Sequence, residues 1–312
     1  MTENRERVAS HEIGSNGEFK RQKSEFTCQF GSGENESPIE SGRYRLLVVD
    51  GCPWCHRTMI VMKMLGLDEH ISIGKASSIQ VDKKAGWPFS LDKNHEDPVL
   101  KIKHVTDIYL ATDPNYDKRA TVPVLVDLKT KKVINNDFYN LTKILERDFK
   151  PLHKQNALDL YPKELENQLD EMNKMIFDDI NNGVYKTGFA TSQAAYESNY
   201  DRLFMRLDWL EEHFSKNRYL MGDRFTDADI RLFVTLVRFD TAYYPVFRCN
   251  RNLIVQFSNI WNYCKELYNI PEIKETTNFY AFKSMYWTID NNPYGIIPKG
   301  PDLSVWNEDY HR

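Results

Sequence analysis

The amino-acid sequence predicts an α/β domain followed by an all-helical domain, and three observations carry that expectation. A short apolar run, 44-YRLLVV-49, lies between Gly42 and Gly51 and leads into a helix-like apolar stretch, as a buried strand feeding a packed helix would. Two further runs, 121-TVPVLVD-127 and 132-KVIN-135, flank the polar turn 128–131 in the manner of a hairpin. Beyond Pro151, apolar residues recur at spacings of three and four with no convincing strand. At 312 residues the chain is longer than one core usually supports, so two domains are expected.

Residues 1–40 are rich in Gly, Ser, Glu and Asn without sustained periodicity and read as an arm that orders on contact. The first domain, 41–150, opens with the strand 44–49. In the helix that follows, Met59, Ile60, Val61, Met62, Met64 and Leu65 leave only Lys63 charged, so most of its faces should be packed, and Gly66 ends it. The segment 76–117, with WPF and KIKHVTDIYL, is expected to be an insertion carrying a helix. A hairpin then precedes a helix over 138–149. Strand, helix, hairpin and helix describe a thioredoxin-like α/β unit. In the second domain, 151–312, Leu165, Leu169, Met172, Ile176 and Ile180 mark one long amphipathic helix. Tyr196, Tyr200, Leu203, Leu207, Leu210 and Phe214 mark another, and the two should pack as a bundle. At 226-TDAD-229, Thr226 and Asp229 predict a capping box that opens a buried helix over IRLFVTLV, which makes Asp229 structural.

Composition narrows the function classes. Hydrophobic residues at 41% and charged residues at 28% are ordinary for a globular protein and exclude wholesale disorder. The net charge of -4 is spread without a block of like charge, so nucleic acid is not an expected partner. The N-terminus is polar, and no stretch approaches the ~18 apolar residues of a membrane span, so no membrane association and a cytosolic location are expected. Five cysteines are too few, and odd in number, for a disulfide framework.

Chemistry concentrates in 50-DGCPWCHRTMI-60. Zinc would need a second CxxC or an HxxxH pair, and none is present, so no metal is expected. The run 52-CPWCH-56 matches the pattern of covalent haem attachment, but its place between a buried strand and a buried helix leaves no room for a macrocycle. Thiol chemistry fits. A cysteine at a strand-to-helix junction meets the free N–H groups of the helix start, which lower a thiol pKa from ~8.5 to between ~3.5 and ~7.5. Cys52 is therefore the expected nucleophile. Cys55, one turn on, is either a resolving thiol or a small buried hydrophobe. Pro123 interrupts a good strand, which suits an edge, a bulge, or a cis bond that turns the backbone of Val122 toward a peptide-like thiol.

Several stretches together resemble a known family: CPWCHR after a strand, GWPF at 86–89, ATVPVLVD at 120–127, INNGVYKTGFATSQAAYE at 180–197, DRFTDADIRLFVTLVRFD at 223–240 and NPYGIIPKGP at 292–301. In constant order from Phe19 to Pro301, they look like the glutathionyl-hydroquinone reductases, the Xi class of glutathione transferases. The resemblance implies the glutathione transferase architecture, a thioredoxin-like domain with an all-α C-terminal domain, and a homodimer. It also implies glutathione as co-substrate and removal of glutathione from glutathionyl-hydroquinones through a cysteine mixed disulfide. Carried over, Cys52 is the nucleophile, Trp87 and the Val122 backbone hold glutathione, and Arg119 lies near its charged end. Tyr185 and Tyr286 hydrogen-bond the hydroquinone oxygen, a role that suits a phenol because it can donate or accept.

Two positions depart from the pattern. The family usually has alanine where this chain has Cys55, which opens a dithiol route and the alternative of a broader glutaredoxin-like or omega-like oxidoreductase acting on mixed disulfides or dehydroascorbate. At 136-NDF-138 the family reads Asn-Glu-Ser, an acid and a hydroxyl that bind the γ-glutamyl end of glutathione. Asp137 keeps the charge, whereas Phe138 loses the hydroxyl. A lost hydrogen bond to a charged group costs ~1.5 to 3 kcal/mol, roughly ten- to a hundredfold in affinity. Weaker glutathione binding, or another low-molecular-weight thiol or a protein reductant in its place, is the expectation.

Overall fold

The computed structural model describes residues 12–80, 85–289 and 295–310. The start of the arm and part of the 292–301 stretch lie outside them. The chain forms two units, Ser24–Leu160, and Met1–Lys23 with Tyr161–Arg312.

The first unit is built on a four-stranded sheet. Strand β1 (Tyr44–Val49) is buried at every position and runs into helix α1 (Pro53–Leu65), as the sequence suggests. Gly66 caps α1 with φ of 74°, a conformation that costs glycine little. Strand β2 (Ile71–Ala76) follows and pairs parallel with β1. It is absent from the sequence-based expectation, because Gly74 and Lys75 break its apolar alternation. The 76–117 segment does carry a helix, α2 (Val105–Thr112). It is anchored by a buried ion pair in which Arg45 of β1 meets Asp97 at 2.6 Å. The expected hairpin is present as β3 (Val124–Asp127) and β4 (Lys132–Asn135), antiparallel to each other. β3 begins only after Pro123, and the Val122–Pro123 bond is cis. The sheet order is β2-β1-β3-β4. Helix α3 (Leu141–Arg147) is shorter than the expected 138–149, since Asp137 and Asn140 organise a turn ahead of it. Arm residues line the β4 edge, with Asn136 N–H donating to Phe26 at 2.8 Å and Cys28 N–H to Ile134 at 3.1 Å.

The second unit is helical. Helix α4 (Glu166–Ile176) continues into a π-helical turn at Phe177–Asn181, then α5 (Gly183–Gly188) and the long α6 (Gln193–Phe214). The expected single helix through Ile180 is thus interrupted, and the Asn182 N–H reaches the Phe177 carbonyl, five residues back, at 2.8 Å. Helix α7 (Asp227–Arg238) is buried along its length and opens with the predicted capping box, Asp229 accepting from Thr226 N–H at 2.9 Å. A second π-helical turn, Phe239–Tyr243, leads into the short α8 (Tyr244–Val246). Helices α9 (Ser258–Tyr268), α10 (Pro271–Thr276) and α11 (Phe279–Ile289) complete the unit. No helix of the described residues is long and apolar enough to cross a membrane. Arm residues also belong here: Thr191 N–H donates to Gly17, and the rings of Phe19 and Phe189 meet edge-on at 5.3 Å.

Candidate active site

Cys52 is the N-cap residue of α1, where a strand-to-helix turn exposes backbone donors. It is 4% exposed, and its Sγ lies 3.6 Å from the Val122 carbonyl, in position to donate. The Val122 N–H makes no hydrogen bond among the described residues. The backbone edge beside the cis proline thus leaves a donor open near the thiol, as an extended peptide ligand requires. Cys55 is fully buried, and its Sγ accepts the Val49 N–H at 3.4 Å. Neither cysteine forms a disulfide. Burial first, and then hydrogen-bond contact with Cys52, push the Cys55 thiol well above its ordinary pKa.

The other expected glutathione-binding residues lie on loops of the same unit. Trp87 is half-buried, and its carbonyl accepts from Val105, the first residue of α2, at 2.9 Å. Arg119 is exposed, with its carbonyl taking the Tyr116 hydroxyl at 3.2 Å. Asp137 is occupied locally: Oδ1 accepts from Tyr139 N–H at 3.2 Å, and Oδ2 from the Asn140 amide at 2.7 Å. The Phe138 ring packs on Trp54 of α1 with centroids 5.0 Å apart, and its carbonyl accepts from Arg57. The residue that departs from the family pattern therefore closes an aromatic contact with the CPWC turn.

In the helical unit, Tyr185 on α5 and Tyr286 on α11 share a hydroxyl–hydroxyl hydrogen bond of 2.5 Å. A third phenol, missed in the sequence, joins them: the Tyr243 hydroxyl lies 3.0 Å from that of Tyr286. Tyr243 and Tyr286 are fully buried, and Tyr185 is 6% exposed. Burial pushes the Tyr286 and Tyr243 hydroxyls well above their usual pKa, and the Arg238 charge works in the opposite direction. Phe247 packs against all three rings at 5.3 to 5.5 Å. Its place depends on Gly188, where an added Cβ would fall 2.3 Å from the Phe247 ring. From the arm, the Arg21 guanidinium sits 4.6 Å from the centre of the Tyr185 ring, and its Nε donates to Asn182 at 2.9 Å. The only sequence signal for Tyr243 was its position just after the RFD stretch, in a turn whose hydrogen bonds do not follow helical periodicity.

Residues 193–266 match the glutathione S-transferase C-terminal domain family. The chain is 37% identical, over 92% of its length and 91% of the relative's, to the glutathionyl-hydroquinone reductase PcpF of Sphingobium chlorophenolicum. It is 36% identical, over 84% of its length and 80% of the relative's, to the glutathionyl-hydroquinone reductase YqjG of Escherichia coli. Among solved structures, the glutathione S-transferase Xi of Phanerochaete chrysosporium superposes with a TM-score of 0.87 at 38% identity, covering 93% of this chain and 95% of that one. Glutathione-bound YqjG superposes with a TM-score of 0.83 at 35% identity, covering 90% and 94%. The chain belongs to the glutathionyl-hydroquinone reductases, the Xi class of the glutathione transferases.

Proposed function

We infer that this protein is a glutathione-dependent enzyme that reductively removes glutathione from glutathionyl-hydroquinones. The observation that carries the reading is Cys52 at the head of α1, with the Val122 N–H left open on the neighbouring backbone. Cys52 thiolate attacks the glutathione sulfur of the aryl thioether. The S–S bond forms as the aryl C–S bond breaks, and the bonding pair goes to the ring carbon, which takes a proton and leaves as the hydroquinone. A second glutathione then attacks the mixed disulfide, releasing glutathione disulfide and restoring Cys52. Val122, Trp87, Arg119 and Asp137 serve glutathione, and Tyr185 and Tyr286 serve the hydroquinone oxygen, where a hydroxyl network can supply or accept a proton.

The broader dithiol oxidoreductase reading has the second cysteine in its favour. Complete burial of Cys55 speaks against it, because a resolving thiol must reach its target as the anion. Assembly as a homodimer belongs to the same family reading and is tested by light scattering. The function itself is tested by intact-protein mass after incubation with glutathionyl-menadiol, the hydroquinone form of the conjugate. A gain of one glutathione on Cys52 as menadiol is released, lost again as glutathione disulfide on adding glutathione, is expected. Release of menadiol without any adduct on Cys52 would overturn the mechanism.

A further inference from the structure

Cys55 stands where the family usually has alanine, so its task has to come from its surroundings. It occupies the third position of α1, and a side chain there reaches back to the N-cap residue, the geometry that closes a capping box. The N-cap residue is Cys52. The Val49 N–H fixes the Cys55 sulfur from the strand side at 3.4 Å. Cys52, for its part, makes no side-chain capping bond to the first-turn amides, and Pro53 has no N–H to offer. The Val122 carbonyl, which accepts from the Cys52 thiol at 3.6 Å, would face the sulfur's negative charge once the proton leaves. Cys55 remains protonated, held so by burial and by its contact with Cys52, and is a donor in hydrogen-bond reach.

We propose that Cys55 is a positioning residue that donates its S–H to the Cys52 sulfur and stabilises the nucleophilic thiolate, and that it is not the thiol that resolves the mixed disulfide. The proposal rests on Cys52 being the nucleophile. Exchange rates follow the thiolate fraction of the attacking sulfur, and each unit by which a pKa exceeds the ambient pH lowers that fraction about tenfold. Glutathione from solution is therefore the faster resolving thiol. The charged groups around the pair are Asp50, held by Lys75 at 3.1 Å, and Arg57, turned to the Phe138 carbonyl and the Trp54 ring. His56 is buried on the same turn, Glu146 is buried on α3, which packs on α1, and Asp137 lies in the turn ahead of α3. All are shared by the wild type and the Cys55 variants, so their influence cancels in a comparison.

The test is the pH profile of iodoacetamide alkylation at Cys52, located by peptide mass spectrometry, in wild type, Cys55→Ala and Cys55→Ser. Removing the donor in Cys55→Ala should raise the midpoint by about one unit, a roughly tenfold slower reaction below it. Cys55→Ser, which keeps a hydroxyl donor, should move the midpoint back toward wild type. Superimposable profiles, or a Cys55→Ser profile equal to that of Cys55→Ala, would overturn the proposal. So would a wild-type mass lower by two hydrogens, with no glutathione adduct, after reaction with glutathionyl-menadiol. Alkylation needs no hydroquinone, so failure of this role and failure of the assigned activity read out separately.

Discussion

Cys52 and Tyr286 are both buried groups engaged by neighbouring side chains, yet they are placed by different means. One strand-to-helix turn sets Cys52, Cys55 and the Val49 N–H in register, and the chain returns to it at Val122. The tyrosine cluster joins residues 101 and 43 positions apart, one on α5, one in a π-helical turn and one on α11. The thiol centre is a local motif with a backbone edge beside it. The phenol centre exists only when three helical segments pack. A local motif tolerates remote change but fails on a single substitution, whereas an assembled cluster should degrade in steps.

Cys52→Ser tests the first half of that contrast. Steady-state reduction of a glutathionyl-hydroquinone should fall by about 10⁴-fold or more, with an unchanged circular dichroism spectrum. The cluster should respond by degrees. Tyr286→Phe removes both hydroxyl contacts and should lower kcat by about a hundredfold, while Tyr243→Phe removes one and should cost about tenfold. Cys52 alkylation should be the same in both tyrosine variants as in wild type. Equal losses for Tyr243→Phe and Tyr286→Phe, or an altered alkylation profile in either, would show that the two centres are not built and used separately.

The same contrast explains what could be read in the sequence. Strand β1 and helix α1 were legible because a continuous apolar run is bounded by Gly42 and Gly66, and both ends depend on local backbone chemistry. The capping box at Thr226 was legible for the same reason. Strand β2 was not, since it is held by a six-residue parallel pairing with β1 rather than by its own pattern. In the site, Cys52 followed from five contiguous letters, 52-CPWCH-56. Tyr185 and Tyr286 came only with the family resemblance. Tyr243 was overlooked because π-helical turns move side chains off the 3.6-residue period on which sequence reading depends.

Acid should also distinguish the two regions, through the scaffold of the helical unit. Asp229, buried in the capping box, accepts from Leu220 and Thr226 N–H groups and from the Tyr263 hydroxyl, yet burial outweighs these bonds and raises its pKa to about 6. Asp240 is likewise raised to about 6. Between the unfolded value of 3.8 and the folded value of about 6, the folded state holds a proton that the unfolded chain has released. The stability this confers is fully present below 3.8 and is lost as pH rises through about 6, a swing on the order of 3 kcal/mol per group. Urea unfolding should therefore show a helical unit more stable at about pH 5 than at about pH 7.5. Asp229→Asn should flatten part of that slope while losing about 1 to 3 kcal/mol from mismatched bonds. A stability that rises with pH across this window would contradict the assignment.

The smallest effect is expected at Phe138, where the thiol centre departs from its family. Restoring the family hydroxyl with Phe138→Ser returns a donor for the γ-glutamyl end of glutathione but removes the ring packed on Trp54. The loss of an aromatic pair costs about 1 kcal/mol, and the Arg57 bond to the residue 138 carbonyl, being to backbone, should survive. Because Asp137 is already engaged by Tyr139 and Asn140, the turn should keep its shape, so the new hydroxyl adds to an existing site. The KM for glutathione should then fall by about three- to tenfold with kcat nearly unchanged. A KM that stays constant or rises would mean that the Phe138 ring itself contacts the thiol co-substrate, and that the aromatic wall it forms with Trp54 is the specificity element of this chain.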